Sequence, residues 1–211
     1  MAIVPRVIGI SPGDHGCGRT LTWLIQGAVD GGIRSLILRE PHLSRPAYVE
    51  LARRLSPLLT DGPILHASHP DALAVAHRSG WGLHLPGTVP WEDVRPRVSG
   101  LLGMSCHTVE DLAKAAACGA DYATLSPVFP PLSKPADTRP TLDVDGLAAA
   151  VELNHLPIIA IGGITADNAQ RVAATGCHGV GVIGDLFPPD VDSDAVAARA
   201  NSIVAAFQRG H

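Results

Sequence analysis

Basic residues are few and scattered in this sequence. Its 211 residues include 16 Lys and Arg against 20 Asp and Glu, for a formal net charge of −4 at pH 7, and no run of lysines and arginines occurs. Proteins that bind nucleic acid concentrate positive charge on one surface to meet the phosphate backbone. We therefore expect no nucleic-acid partner.

Long apolar runs and paired cysteines are missing too. No apolar stretch approaches the roughly 20 residues of a membrane span, and the start of the chain has no signal-peptide pattern. This predicts a cytoplasmic protein without a membrane partner. The cysteines stand apart, with no C-x-x-C pair, which indicates free thiols and no zinc site; they are Cys17, Cys106, Cys118 and Cys177.

Aromatic residues make up only 4% and charged residues 17%, whereas hydrophobic residues reach 46%. Most of the apolar content is Ala, Val, Leu and Ile, which is typical of buried parallel strands covered by helices. An apolar fraction this high can fill a large core and argues against disorder.

Short β-branched runs alternate with amphipathic stretches along the whole chain. The predicted strands are Arg6–Ser11, Ser35–Glu40, Pro63–Ser68, Gly82–Pro86, Leu101–Cys106, Tyr122–Phe129, Pro157–Gly163 and Gly179–Asp185. The predicted helices are Thr20–Val29, Arg45–Leu58, Pro70–Arg78, Val109–Cys118, Val144–Leu153, Ala166–Thr175 and Ser193–Gln208. Between the fourth and fifth strands, Trp91–Val98 is at most a short helix interrupted by Pro96.

Eight strand–helix units without a linker predict a single α/β domain, a (β/α)₈ TIM barrel spanning residues 1–211. The alternative is a doubly wound open sheet, which needs fewer strands. In a barrel the chemistry lies at the carboxyl ends of the strands. The polar and glycine residues predicted there are Arg39, His66, Ser68, Ser105, His107, Ser126, Gly162, Gly163 and Gly184.

Glycines end the last two predicted strands, in Ile159–Ile164 and Val180–Asp185. Glycine lets backbone N–H groups approach an anion closely, and barrels often hold phosphate in the loops after strands seven and eight. These two loops predict a phosphate site. A rival motif, Gly13–Thr20, follows the Walker A pattern but has Arg19 in place of lysine, so it is also read as a glycine-rich first loop.

Several segments together resemble the thiamine phosphate synthase/TenI family. They cover nearly the whole chain in the family's order, and they are L-I-L-R-E at 36–40, G-L-H-L-P at 82–86, G-M-S-C-H-T at 103–108, G-A-D-Y at 119–122 with S-P-V-F-P at 126–130, A-I-G-G-I at 160–164 and G-V-G-V-I-G at 179–184. The resemblance implies a phosphorylated thiazole as small-molecule ligand and a possible homodimer.

The resemblance also implies roles for individual residues. Arg39 and Ser105 match pyrophosphate-contacting positions, while Ser133 and Lys134 match a hydroxyl and an ammonium group that hold phosphate. Further substrate-binding positions are Ser126 and the phosphate loops, in which Gly163, Ile183 and Gly184 match the thiazole phosphate cradle and Gly162 adjoins it. Both charged residues could have another role than binding an anion. Lys134 could be solvated on its loop, and Arg39 could form an ion pair with Glu40 or another acid.

The sequence departs from the synthase pattern at the magnesium site. Where the family has N-D-R, this chain has His66 followed by Ala67 and Ser68, and Pro86-Gly87-Thr88 replaces the segment with the second aspartate. The lysine expected two residues after Arg39 is Pro41. Magnesium prefers carboxylate oxygens, so we predict no metal and no other cofactor, with Mg²⁺ required only if the protein is a synthase.

A TenI-like protein would instead be a thiazole tautomerase, which shifts a proton and aromatises the ring. The histidine that such relatives use is replaced here by Pro127. His66 and His107 are the candidate acid and base, since histidine titrates near neutral pH. Cys106 is expected to point away from the site. The sequence therefore favours a tautomerase, with two alternatives, a synthase with an altered metal site and a non-catalytic ligand-binding or regulatory relative.

Overall fold

Eight parallel strands close into a barrel in a computed structural model, which describes residues 3–13, 21–60, 62–87, 93–133 and 136–210. The strands are β1 (Val7–Ile10), β2 (Ser35–Leu38), β3 (Ile64–His66), β4 (Gly82–Leu85), β5 (Leu102–Cys106), β6 (Tyr122–Leu125), β7 (Ile158–Ile161) and β8 (Gly179–Val182). Their spatial order follows the sequence, and β1 pairs with β8 to close the ring. The predicted barrel is confirmed and the open-sheet alternative is wrong.

Helices follow the strands around the outside. They are α1 (Leu21–Asp30), α2 (Arg45–Leu55), α3 (Ala72–Ser79), α4 (Val109–Ala117), α5 (Asp143–Glu152), α6 (Ala166–Ala173) and α7 (Ser193–Arg209). Between β4 and β5 the described chain forms only a 3₁₀ turn, Arg95–Arg97. α2 ends three residues before its predicted limit and continues as a 3₁₀ turn, Ser56–Leu58, with Pro57 in its first turn. Among the described residues, none of the helices has both the length and the hydrophobicity of a membrane-spanning helix.

Alternation along the strands divides the apolar residues between two cores. One set of strand residues packs under the helices, and Cys106 belongs to this outer core with no exposed surface. Burial raises the pKa of its thiol to about 12. Cys106 therefore points away from the barrel axis as predicted. The other set fills the barrel and consists of Ile8, Ile10, Ile37, Ile64, Leu101, Tyr122 and Ile159.

Among the described residues, Tyr122 is the one aromatic side chain of this inner core, and a glycine on the neighbouring strand makes room for it. Gly103 pairs with Tyr122 in the β5–β6 register. A Cβ atom at residue 103 would lie 2.1 Å from the Tyr122 Cζ atom and 2.3 Å from its hydroxyl oxygen. Real Cβ contacts are never this short, so the tyrosine ring occupies the space that any larger residue at position 103 would need.

Candidate active site

The carboxyl ends of the strands surround a cavity of about 490 Å³, here called the mouth cavity. Six of the predicted site residues line it together, namely Arg39, His66, Ser105, His107, Ser126 and Ile183. Inward-pointing positions at the ends of parallel strands meet at one edge of the barrel. This explains why residues 87 positions apart in the chain, from Arg39 to Ser126, line the same cavity.

The two glycine loops form a second, smaller pocket of about 100 Å³ beside the mouth cavity, here called the cradle. The predicted substrate-binding residues that line it are Ser126, Ser133, Gly162, Gly163, Ile183 and Gly184. Ser126 and Ile183 line both cavities, so a single elongated ligand could occupy the cradle and the mouth. Lys134, the remaining predicted binding residue, lies outside the described residues.

Backbone conformation explains the glycines of the cradle. Gly162 and Gly163 have φ angles of +101° and +61°, which favour glycine. At Gly163 a Cβ atom would also lie 2.6 Å from the Pro130 carbonyl oxygen. Within the described part of the chain, no acceptor is seen for the amide N–H groups of Gly163 and Gly184. Such amides are suited to an anion.

His66 is held with one ring nitrogen as an acceptor. The backbone N–H of Ser68 donates to the His66 Nδ1 atom over 3.1 Å, and the Ser68 hydroxyl lies 2.9 Å from the same atom. An N–H group can only donate, so Nδ1 carries the lone pair and the neutral ring has its proton on Nε2. Ser68, a strand-end serine of the sequence analysis, thus fixes the tautomer of His66.

His107 has the opposite tautomer. Its Nδ1 atom lies 2.7 Å from the Ser126 carbonyl oxygen, which can only accept, so Nδ1 carries the proton and Nε2 the lone pair. The N-cap of α4 is Thr108 and not His107, because the Thr108 hydroxyl accepts the Asp111 N–H at the start of the helix. The His107 side chain is therefore available to the mouth cavity.

His84 forms the floor of the mouth cavity. It is 2% exposed, its Nδ1 atom lies 3.1 Å from the Tyr122 hydroxyl, and its Nε2 atom lies 3.0 Å from the Ser105 hydroxyl. Burial, followed by the nearby His66, holds the pKa of His84 well below its ordinary value of 6.5. His84 is therefore a neutral, hydrogen-bonded part of the barrel interior, and it fixes the Ser105 side chain.

The low pKa of His84 predicts a loss of stability in mild acid. Below the unfolded-state pKa of about 6.5, this histidine binds a proton in the unfolded chain but stays neutral in the folded protein. The free energy of unfolding therefore falls as the pH falls, by up to about 1.4 kcal/mol per pH unit from this group. We expect a His84→Gln variant to lose less stability than the wild type between pH 7 and pH 5.5 in urea titrations. Equal losses in both proteins would contradict the assignment, and exposed His155→Gln serves as the matched control.

Among the residues that the structure describes, Arg39 has no carboxylate partner. Within the described residues no ion pair includes its guanidinium group, and its backbone N–H donates to the Ser11 hydroxyl over 2.8 Å. Glu40 is 2% exposed, does not line the mouth cavity, and accepts the Gly13 N–H over 3.1 Å. The alternative Arg39–Glu40 ion pair is thus wrong. Of the rival motif Gly13–Thr20, only Gly13 lies within the described residues.

Arg139 and Asp137, on the loop between β6 and α5, were missed by the sequence analysis. The Asp137 carboxylate binds the Arg139 guanidinium group through two bonds, 2.9 Å from Nε to Oδ1 and 2.6 Å from Nη2 to Oδ2. The Arg139 Nη1 atom lies 3.2 Å from the His107 Nε2 atom. Their position three to five residues after Lys134, on a loop that follows a strand end, was the available signal.

Carboxylates are absent from the described lining of the mouth cavity, and the described residues contain no cluster of three His, Cys, Asp or Glu suited to a metal. Magnesium takes hard oxygen ligands, commonly one or two carboxylates beside substrate phosphates. The described residues of the mouth therefore do not fit a magnesium ion held by the protein.

A closed (β/α)₈ barrel with a glycine-lined pocket after its last two strands has the arrangement in which TIM barrels often hold the phosphate of a small molecule. The particular family follows from sequence comparison. The sequence model described as "Thiamine monophosphate synthase" matches residues 8–186. The chain belongs to this family, which confirms the resemblance seen in the sequence.

Named relatives agree with this assignment. The chain is 35% identical over 175 residues to a thiamine-phosphate synthase of Vibrio campbellii, covering 79% of this chain and 83% of that protein. It is 36% identical over 202 residues to a thiamine-phosphate synthase of Bordetella avium, covering 91% and 92%. These relatives support a place in thiamine biosynthesis.

Solved structures support the fold. A thiamine phosphate pyrophosphorylase from Pyrococcus furiosus superposes with a TM-score of 0.78 at 23% identity, covering 96% of this chain and 95% of that one. A structure described as native KDPGal superposes with a TM-score of 0.73 at 16% identity, covering 100% and 97%. At these identities the likeness shows the barrel alone.

Proposed function

We propose that the protein binds a phosphorylated thiazole across the cradle and the mouth cavity and acts as a TenI-like thiazole tautomerase. The observation that carries the proposal is the pair of opposite tautomers in one cavity. His107 carries a lone pair on Nε2, from which the Arg139 Nη1 atom, 3.2 Å away, must turn before the nitrogen can accept a proton from the ligand. His66 in its neutral form carries a proton on Nε2. A tautomerisation needs one group that accepts a proton and another that donates one.

The proton transfers balance without a cofactor. His107 Nε2 removes the proton from the sp3 carbon of the non-aromatic thiazole ring, and His66 Nε2–H donates one to the exocyclic carbon that is double-bonded to the ring. Solvent then returns a proton to His66 and takes one from His107, so the product is the aromatic isomer and no electrons are gained or lost. The cradle amides and Ser133 would hold the phosphate, and Arg39 would add positive charge at the mouth. Pro127, which replaces the usual histidine, lines the cradle instead of taking part.

A second candidate is thiamine-phosphate synthase, the coupling of hydroxymethylpyrimidine pyrophosphate with thiazole phosphate. The names of the relatives from Vibrio campbellii and Bordetella avium favour it. Against it stands the described lining of the mouth cavity, which has no carboxylate for magnesium. The sequence also has Pro41 at the position where the family has a lysine. Arg39 and Ser105 would then contact the pyrophosphate.

Proton NMR of the purified protein distinguishes these functions. We expect the tautomer of thiazole carboxylate phosphate to be converted to its aromatic isomer, with no change in rate when EDTA is added. Formation of thiamine phosphate from the two synthase substrates and Mg²⁺, without aromatisation of the tautomer, would establish the synthase instead. Binding of thiazole phosphate with no turnover in either assay would identify a ligand-binding relative.

A further inference from the structure

Arg139 stands where the two cavities of the site meet. It lines both the cradle and the mouth cavity, together with Ser126, Ile161 and Ile183. Of these shared residues it alone carries a charge. A ligand that reaches from the cradle into the mouth must therefore pass the Arg139 guanidinium group.

The orientation of the guanidinium group is set by two neighbours. Asp137 engages the Nε and Nη2 atoms in a fork, and this hydrogen bonding raises the pKa of Arg139. The remaining Nη1 atom lies against the His107 ring, 3.1 Å from Nδ1 and 3.2 Å from Nε2. Because His107 Nδ1 already donates to Ser126, the ring can accept only one of the two Nη1 hydrogens, on Nε2. The second Nη1 hydrogen has no acceptor on this ring.

The charges of the cradle make this arginine necessary for an anion. The described charged residues that line the cradle are Asp137, Arg139 and Asp185. Asp185 pairs with Arg199 over 3.2 Å, and burial raises the pKa of its carboxyl group. The Arg139 guanidinium group offsets the negative charge that the Asp137 carboxylate brings close to a bound phosphate.

We propose that Arg139 is a ligand-binding residue, which contacts an anionic group of the ligand at the junction of cradle and mouth and does so without a bridging divalent cation. The ligand class is a small molecule with a phosphate in the cradle and a second anionic oxygen, of a carboxylate or a further phosphoryl group, within reach of Nη1. The inference rests on the proposed occupation of the cradle by phosphate, but not on the proton transfer.

Binding of inorganic pyrophosphate, followed by isothermal titration calorimetry in EDTA and again with Mg²⁺, tests the inference. We expect the wild type to bind equally well in both buffers. Arg139→Gln should weaken binding about 10-fold to 100-fold, because it removes a charged hydrogen bond to the anion. Arg139→Lys, which keeps the charge without the planar fork, should give an intermediate affinity.

Two further variants separate this inference from the proposed cradle. Gly184→Ala places a Cβ atom 2.9 Å from the Ser133 backbone nitrogen and should weaken binding of inorganic phosphate as well. Arg53→Gln, an equal charge change at an exposed position on α2, should bind like the wild type. Wild-type affinity in Arg139→Gln with loss in Gly184→Ala would overturn the role of Arg139 and retain the cradle. Wild-type affinity in both would overturn both, and binding only with Mg²⁺ would overturn the metal-free contact.

Discussion

Replacing either His66 or His107 by alanine should lower the rate of thiazole aromatisation about 10²-fold to 10⁴-fold, the usual contribution of a positioned acid or base. Each variant removes one of two groups that hold their protons on opposite nitrogens, His66 through the Ser68 N–H and His107 through the Ser126 carbonyl. The turnover number should fall more than the Michaelis constant changes, because the phosphate is held elsewhere, in the cradle. Proton NMR progress curves give both parameters.

The matched control for these variants is His155→Ala, an exposed histidine just before β7 at the opposite end of the barrel, which should keep full activity. Far-ultraviolet circular dichroism verifies that each variant is folded. Full activity in His66→Ala would show that the proton is donated by another group. Full activity in both histidine variants would contradict the proposed mechanism.

We expect Gly103→Ala to lower the free energy of unfolding more than the addition of a methyl group elsewhere in the barrel. Its Cβ atom would lie 2.1 Å from the Tyr122 Cζ atom, and Tyr122 cannot move aside because it is fully buried within the inner core. Overpacking of this kind costs about 3 kcal/mol or more of unfolding free energy. Urea denaturation followed by circular dichroism measures the loss.

Two comparisons show whether the clash is the cause. In Gly146→Ala, on α5, the new Cβ atom has its closest contact at 3.3 Å, with Leu142, so the unfolding free energy should change by less than about 1 kcal/mol. The double variant Gly103→Ala/Tyr122→Leu should lose less stability than the sum of its two single variants. Additive losses would mean that the barrel accommodates the methyl group by moving its backbone.

The strand periodicity predicted the barrel correctly but placed the end of the sixth strand too late. The sixth strand was predicted to run from Tyr122 to Phe129 but ends at Leu125. Val128 and Phe129 are apolar enough to extend the predicted strand. In the structure they belong to the loop after β6, and their N–H groups donate to the backbone carbonyls of Ile161 and Gly162 at the end of β7. Hydropathy alone does not distinguish a buried loop from a buried strand.

The site was predictable where it depends on position along a strand. Arg39, His66, Ser105, His107 and Ser126 line one cavity because they are inward-facing residues at strand ends, a property that alternation and barrel topology determine. The cradle glycines followed from the same rule. Asp137 and Arg139 did not, because the conformation of a long loop depends on what it packs against.

The sequence by itself determined the family, the barrel, the cradle glycines and the set of candidate histidines. Local periodicity predicts the barrel, and short motifs at the strand ends indicate the others. Only the tertiary structure decided which nitrogen of His66 and of His107 carries the proton, that His84 is buried and neutral beside Tyr122, and that Arg139 reaches the His107 ring. The physical reason is that tautomers, pKa shifts and loop contacts depend on partners distant in the chain. Arg139 and His107 are 32 residues apart, and His84 and Tyr122 are 38 apart.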